Sequence, residues 1–208
     1  LSKTLSKKDN FDEVQSIQEE SIFLSCFLGF PASIGLFMFS KQIVEILFQR
    51  GEFTPETTIQ VSIILKIYAV AVPFFILAKI FQAVFYAKKD TKTPMINAVY
   101  CLILNIIFAL TLMFKFKTNG LAVATTLSSA ITTLMLFFKL IKDKIFIFSE
   151  DLQLKLLKLL YVSLIMISSI VCCNSFLIKH NFSSLLILIL SGGFSCFVFF
   201  LFELKKYF

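Results

Sequence analysis

Six apolar stretches, each about as long as a bilayer core is thick, constrain this chain more than any other feature. They are Ser21–Ser40, Ile67–Ala87, Met95–Phe114, Gly120–Ile141, Leu156–Ile178 and Leu185–Leu204. A helix satisfies its own backbone hydrogen bonds in lipid, and about 20 apolar residues span the hydrocarbon. A membrane β-barrel would instead show apolar and polar positions alternating over about 10 residues. Runs such as LLKLLYVSLIMISSIV do not alternate, so helices are predicted. Composition agrees: 58% of the 208 residues are hydrophobic and only 16% charged. That leaves too few polar groups to clothe a soluble domain of this size. The expected fold is all-α, a polytopic transmembrane bundle of about six spans.

The net charge of +7 is informative through its placement. Thirteen lysines lie in the N-terminal stretch, the second-to-third and fourth-to-fifth connections, and the tail. Five basic residues (Lys41, Arg50, Lys115, Lys117 and Lys179) occupy the opposite set, while Lys66 and Lys79 lie in the second apolar helix. The positive-inside rule then puts both termini in the cytoplasm. Lysines that flank spans point to anionic lipid headgroups, not to a nucleic-acid partner.

Chemistry-bearing motifs are sparse. Cys26, Cys101, Cys172, Cys173 and Cys196 all sit in apolar runs, and the lone histidine, His180, sits in a short loop. Neither pattern has metal-ligand spacing. No nucleophile elbow, glycine-rich phosphate loop, HExxH or intramembrane carboxylate pair is present. The chain is not expected to be an enzyme, and no catalytic residue, metal or cofactor is predicted.

Residues 1–20 are expected to be a cytoplasmic connecting segment, with DNFDEVQSIQEE a short amphipathic helix; this is not the form of a secretory signal. The start at Leu1 instead of Met leads us to expect a fragment. Within the first span, Gly29, Pro31 and Gly35 favour bending and close helix approach. Amphipathic turns follow, then a turn at Arg50–Gly51 and a fresh helix start at Thr54–Pro55. Pro73 is expected to kink the long second helix, and KKDTKTP to connect tightly to a third opened by Pro94. ATTLSSAITT in the fourth helix repeats the small-xxx-small spacing that brings helices together. The last two spans form a hairpin through KHNFSS, and Gly192–Gly193 gives the final one a thin point.

Lys79 is the most telling side chain. It lies twelve residues after Ile67 and eight before Ala87, about 12 Å from the helix end at 1.5 Å per residue. At 100° per residue Tyr68, Lys79, Gln82 and Tyr86 share one face. A lysine facing lipid is costly, so that face points into the bundle or a wet cavity, or the lysine is satisfied structurally by snorkelling. Asn97 and Asn105 are read first as interhelical hydrogen-bonding groups. The substrate-cavity candidates are Lys79, Gln82, Tyr86 and Asn105.

Two spaced motifs carry a family resemblance. The first, within FPASIGLFMFSKQIVEILFQRGEFT, falls on Pro31, Ala32, Gly35, Leu36, Leu47, Phe48, Gly51 and Phe53. The second, within LAKIFQAVFYAKKDTKTP, falls on Lys79, Phe85, Tyr86, Asp90, Lys92, Thr93 and Pro94. Residues 1 to about 145 resemble the C-terminal part of the MurJ/MviN lipid II flippases, of the multidrug/oligosaccharidyl-lipid/polysaccharide exporter superfamily. The remainder matches in hydropathy and position.

The resemblance implies a partial flippase fold. Residues 21–145 would be four helices of the second lobe, and 146–208 a terminal pair bordering a groove for a lipid tail. It implies a bacterial inner-membrane transporter that moves undecaprenyl-pyrophosphate-linked peptidoglycan precursor for cell-wall synthesis. Its partners would be lipid II, membrane lipids and a separately encoded N-terminal half, without which it would be inactive. The family's cavity arginines have no counterpart here. Another lipid-linked saccharide or drug exporter on the same scaffold is the alternative, as is a non-transporting subunit or decayed remnant.

Overall fold

The computed structural model describes residues 2–143, 149–179 and 183–204. Seven helices occupy them, with no strand among the described residues: α1 (Ser2–Met38), α2 (Ser40–Phe48), α3 (Pro55–Ala87), α4 (Lys92–Phe116), α5 (Thr118–Lys142), α6 (Glu150–Lys179) and α7 (Ser184–Leu204). Helix α5 packs between α3 and α4; α3 also packs on α1 and α2, and α6 packs on α7 and α1.

The first helix differs from expectation. No separate short helix precedes the first span, because α1 runs unbroken from Ser2 to Met38. The sequence contains neither proline nor glycine before Gly29, so nothing stops propagation once the helix has started. Pro31 is accommodated inside. The ladder even passes into α2, since the Phe39 amide donates to Gly35 at 2.9 Å and the Ile43 amide to Phe39 at 2.9 Å.

Two punctuation signals act as read. Gly51 takes φ +57° in the turn after α2, a left-handed conformation that glycine adopts without a Cβ penalty. Thr54 caps α3, its Oγ1 accepting from the Thr57 amide at 3.3 Å, with Pro55 in the first turn.

The α3–α4 turn is built from main-chain bonds. The Asp90 amide donates to Phe85 at 3.0 Å and the Lys89 amide to Tyr86 at 2.9 Å, with Lys89 at φ 61°. This is a Schellman closure with lysine where glycine is usual. Asp90 then accepts from the Thr93 hydroxyl at 2.6 Å and the Thr93 amide at 3.0 Å. These bonds, the hydroxyl's first, hold the Asp90 carboxyl below its ordinary pKa.

Five helices among the described residues are long and apolar enough to cross a membrane: Gln15–Met38 within α1, then α3, α4, α5, and Glu150–Phe176 within α6. The chain is a membrane protein. The sixth predicted span falls on α7, a 21-residue apolar helix, of which Leu185–Phe197 is the apolar stretch among the described residues. Helix α7 passes through Gly192–Gly193 without a break, and Gly192 faces the Phe39 ring. The loop KHNFSS and residues 144–148 lie largely or wholly outside the described residues.

The core is aromatic and aliphatic. Phe85, Leu136, Leu140, Leu159, Met166 and Phe199 are almost wholly enclosed, and Phe27 stacks toward Phe199 with centroids 5.4 Å apart. At one end, Glu19 of α1 accepts from Ser149 at 2.9 Å, while the Ser149 hydroxyl oxygen accepts from the Leu152 amide at 3.2 Å. The start of α6 is thereby tied to α1.

Candidate functional site

Helices α3, α4 and α5 line an open cavity of about 500 Å³. Its existence follows from how α5 is written. Ala122, Ala124, Ser128, Ser129, Thr132 and Thr133 are all buried there. Small side chains let neighbouring backbones approach, and α3 and α4, which both pack on α5 and hardly on each other, leave the space between them open. Lys79 and Gln82 enter from α3, Asn97 and Asn105 from α4, and Thr132 and Thr133 from α5.

The hydroxyls on α5 are already committed as donors. Thr132 donates to Ser128 at 2.8 Å, Ser129 to Thr126 at 2.8 Å, and Ser128 to Thr125 at 3.1 Å, each to a main-chain carbonyl. Serine and threonine in a membrane helix commonly satisfy themselves in this way. Asn105 Nδ2 donates to Thr125 Oγ1 and Ser128 Oγ, both at 3.2 Å. Because those hydroxyl protons point to carbonyls, their oxygens can only accept, which fixes the orientation of the Asn105 amide. The interhelical reading of Asn105 therefore holds, and the same residue also lines the cavity.

Lys79 has no hydrogen-bond or ion-pair partner among the described residues, and no carboxylate lines the cavity with it. An ammonium in this position is attractive to an anionic group and to water. The structure thus brings together three of the four candidates, Lys79, Gln82 and Asn105. It leaves out Tyr86, which is 52% exposed and lies beyond the cavity lining. Tyr86 shares the Lys79 face but sits seven residues further along α3, about 10 Å at 1.5 Å per residue. Angular periodicity alone does not see that offset.

Asn97, Thr132 and Thr133 also line the cavity. The sequence reads Asn97 as an interhelical hydrogen-bonding group, for which the described residues supply no partner, and Thr132 and Thr133 as part of a small-residue packing stripe. Among the described residues no three His, Cys, Asp or Glu side chains are grouped to hold a metal ion.

A second cavity, of about 590 Å³, lies on the other side of α3. Phe30, Ser33 and Phe37 of α1 line it with Pro73 and Leu77 of α3 and Ile167 of α6. It is almost entirely apolar.

Comparison with known proteins gives one answer throughout. The profile of the family described as "Lipid II flippase MurJ" matches residues 1–192. A probable lipid II flippase MurJ of Rhizobium meliloti (strain 1021) is 39% identical over 132 residues, covering 64% of this chain and 25% of that protein. One from Buchnera aphidicola subsp. Baizongia pistaciae is 28% identical over 187 residues, covering 90% of this chain and 36% of that protein. Among solved structures, "Lipid II flippase MurJ, inward closed conformation" superposes with a TM-score of 0.80 at 26% identity. That match takes in 97% of this chain and 40% of the other. The chain spans only about a quarter to a third of the curated relatives' length. On the family profile, the fold and the two motifs together, this chain belongs to the lipid II flippase MurJ family.

Proposed function

We propose that this chain is the C-terminal part of a lipid II flippase, working in a bacterial inner membrane with its termini in the cytoplasm. Its role is transport, not catalysis of a chemical reaction. The substrate is the undecaprenyl-pyrophosphate-linked peptidoglycan precursor, and translocation requires an N-terminal half made separately. The observation that carries this reading is the match of 97% of the chain to 40% of a flippase structure. The partial lobe agrees in fold, yet a cavity between two lobes cannot be closed by one of them.

Lys79, Gln82 and Asn105 are the residues proposed to meet the translocation route, Lys79 offering its ammonium to an anionic part of the substrate. Tyr86 lies outside that cavity and is proposed only as a neighbour of its approach. The lysine distribution supports the orientation.

The test is growth rescue in a flippase-depleted bacterium. The chain is co-expressed with the N-terminal portion of the Rhizobium meliloti relative. Rescue by the pair but not by either piece is expected, with loss on Lys79→Met. Failure of the pair with both pieces inserted overturns the reading. Cysteine labelling of the 144–148 connection from the cytoplasmic side checks the orientation; labelling from outside only would reverse it.

A further inference from the structure

We infer that α3 is hinged at Pro73, and that Ser33 of α1 is the positioning residue that holds the hinge closed. Proline has no amide hydrogen, so a proline inside a helix leaves the carbonyl four residues earlier without its regular donor. For Pro73 that carbonyl belongs to Ala69, which is completely buried. In a membrane such an orphan needs a substitute from a neighbouring helix. Ser33 supplies it, its Oγ donating to the Ala69 carbonyl at 2.6 Å. Gly29, one turn before Ser33, faces the same part of α3; a Cβ there would lie 3.2 Å from the Ile76 Cδ1, tighter than ordinary packing.

The other side of the hinge is held less firmly. Thr133 Oγ1 of α5 lies 3.1 Å from the Phe74 carbonyl but 2.7 Å from the Ser129 carbonyl of its own helix. One hydroxyl proton serves both. The Ser33 hydroxyl has Ala69 as its acceptor, and the bond is shorter. In the first turns beyond the proline α3 has space on both faces, Phe74 and Leu77 bordering the apolar cavity and Phe75, Ala78 and Lys79 the polar one. Further along, Phe81, Val84 and Phe85 are buried. Kinks in long helices concentrate at prolines, and rigid arms swing about such points. Lys79 rides on that arm, six residues past the hinge. The arm's angle, and with it the position of the ammonium, is set by one hydroxyl on another helix. The hinge does not depend on the transport reading, since its readout is a distance and not flux.

The experiment uses the full chain in lipid nanodiscs, with Cys26, Cys101, Cys172, Cys173 and Cys196 replaced by alanine. Spin labels are placed at Glu20 on α1 and Lys88 at the end of α3, both exposed. From Pro73 to Lys88 the arm is about 22 Å long, so a 20° swing moves its tip about 8 Å. One narrow distance population is expected for the parent chain. Ser33→Ala should add a second population displaced by up to about 8 Å or broaden the first to include it. In a Pro73→Ala background, where residue 73 can donate to Ala69 again, Ser33→Ala should leave the distribution narrow. An unchanged distribution on Ser33→Ala, or the same broadening with and without Pro73, overturns the proposal.

Discussion

Helices α4 and α5 are neighbours of equal length, 25 residues each, and both are apolar enough to cross a bilayer. Their burial is nevertheless opposite. Nine residues of α5 are buried, whereas α4 buries only Thr93, Pro94 and Asn97, all in its first turns. The large side chains of α4, among them Ile103, Ile106, Ile107 and Leu110, remain about half exposed. Greasiness does not decide which helix becomes central, because lipid tails are as apolar as leucine and give no hydrophobic drive to bury one. Smallness does. Ala122, Ala124, Ser128 and Thr132 let α3 and α4 approach α5 closely enough to pack, and their hydroxyls need protein more than lipid.

The sharpest attack on that comparison is at the joint between the two helices. A Cβ on Gly120 would lie 2.6 Å from the Leu112 carbonyl carbon and nearer still to its oxygen. Main chain cannot step aside as a flexible side chain does. Gly120→Ala should therefore cost about 3 kcal/mol or more, measured by steric-trap unfolding in bicelles; a loss below about 1 kcal/mol would show that the helices are not locked at this joint.

A matched pair comes next. Ser128→Leu, at a wholly enclosed site on α5, should cost about 2 kcal/mol. Ile106→Ala, on the half-exposed face of α4, should change stability by about 0.5 kcal/mol or less. Equal losses in the same assay would erase the distinction between the two helices. A similarly small effect is expected at the bond that joins them. Asn105→Ala removes its contacts to Thr125 and Ser128 and should cost about 0.6 kcal/mol. A double-mutant cycle with Thr125→Val should show coupling of that order; additivity would mean that packing alone binds the pair.

Much of this was legible in the residues, and the reasons differ by site. The Gly51 turn and the Thr54–Pro55 start were readable because each depends on one residue's own backbone chemistry. The small stripe of α5 was readable as a packing face because spacing alone defines it. Lys79 stood out because an ammonium amid hydrocarbon demands an account. The continuity of α1 was missed because a polar composition suggests solvent, and solvent exposure does not end a helix. Tyr86 was grouped with Lys79 because periodicity reports an angle and omits height along the axis. The cavity itself needed three helices and their heights relative to one another, which no local pattern contains. The bond from Ser33 to Ala69 joins positions 36 residues apart, and only the packed pair reveals it.

At 37 residues, α1 is about 55 Å long, against a hydrocarbon layer of about 30 Å. A rod of that length cannot be contained by the membrane it enters. Its outer portion behaves like a mast stepped through a deck: a sideways push well outside the lipid tilts the part within. Its grip on Ser149 through Glu19 places a second helix under the same torque. Whatever grips the far turns of this rod, at a distance from any cavity, can thereby steer the membrane-embedded bundle below.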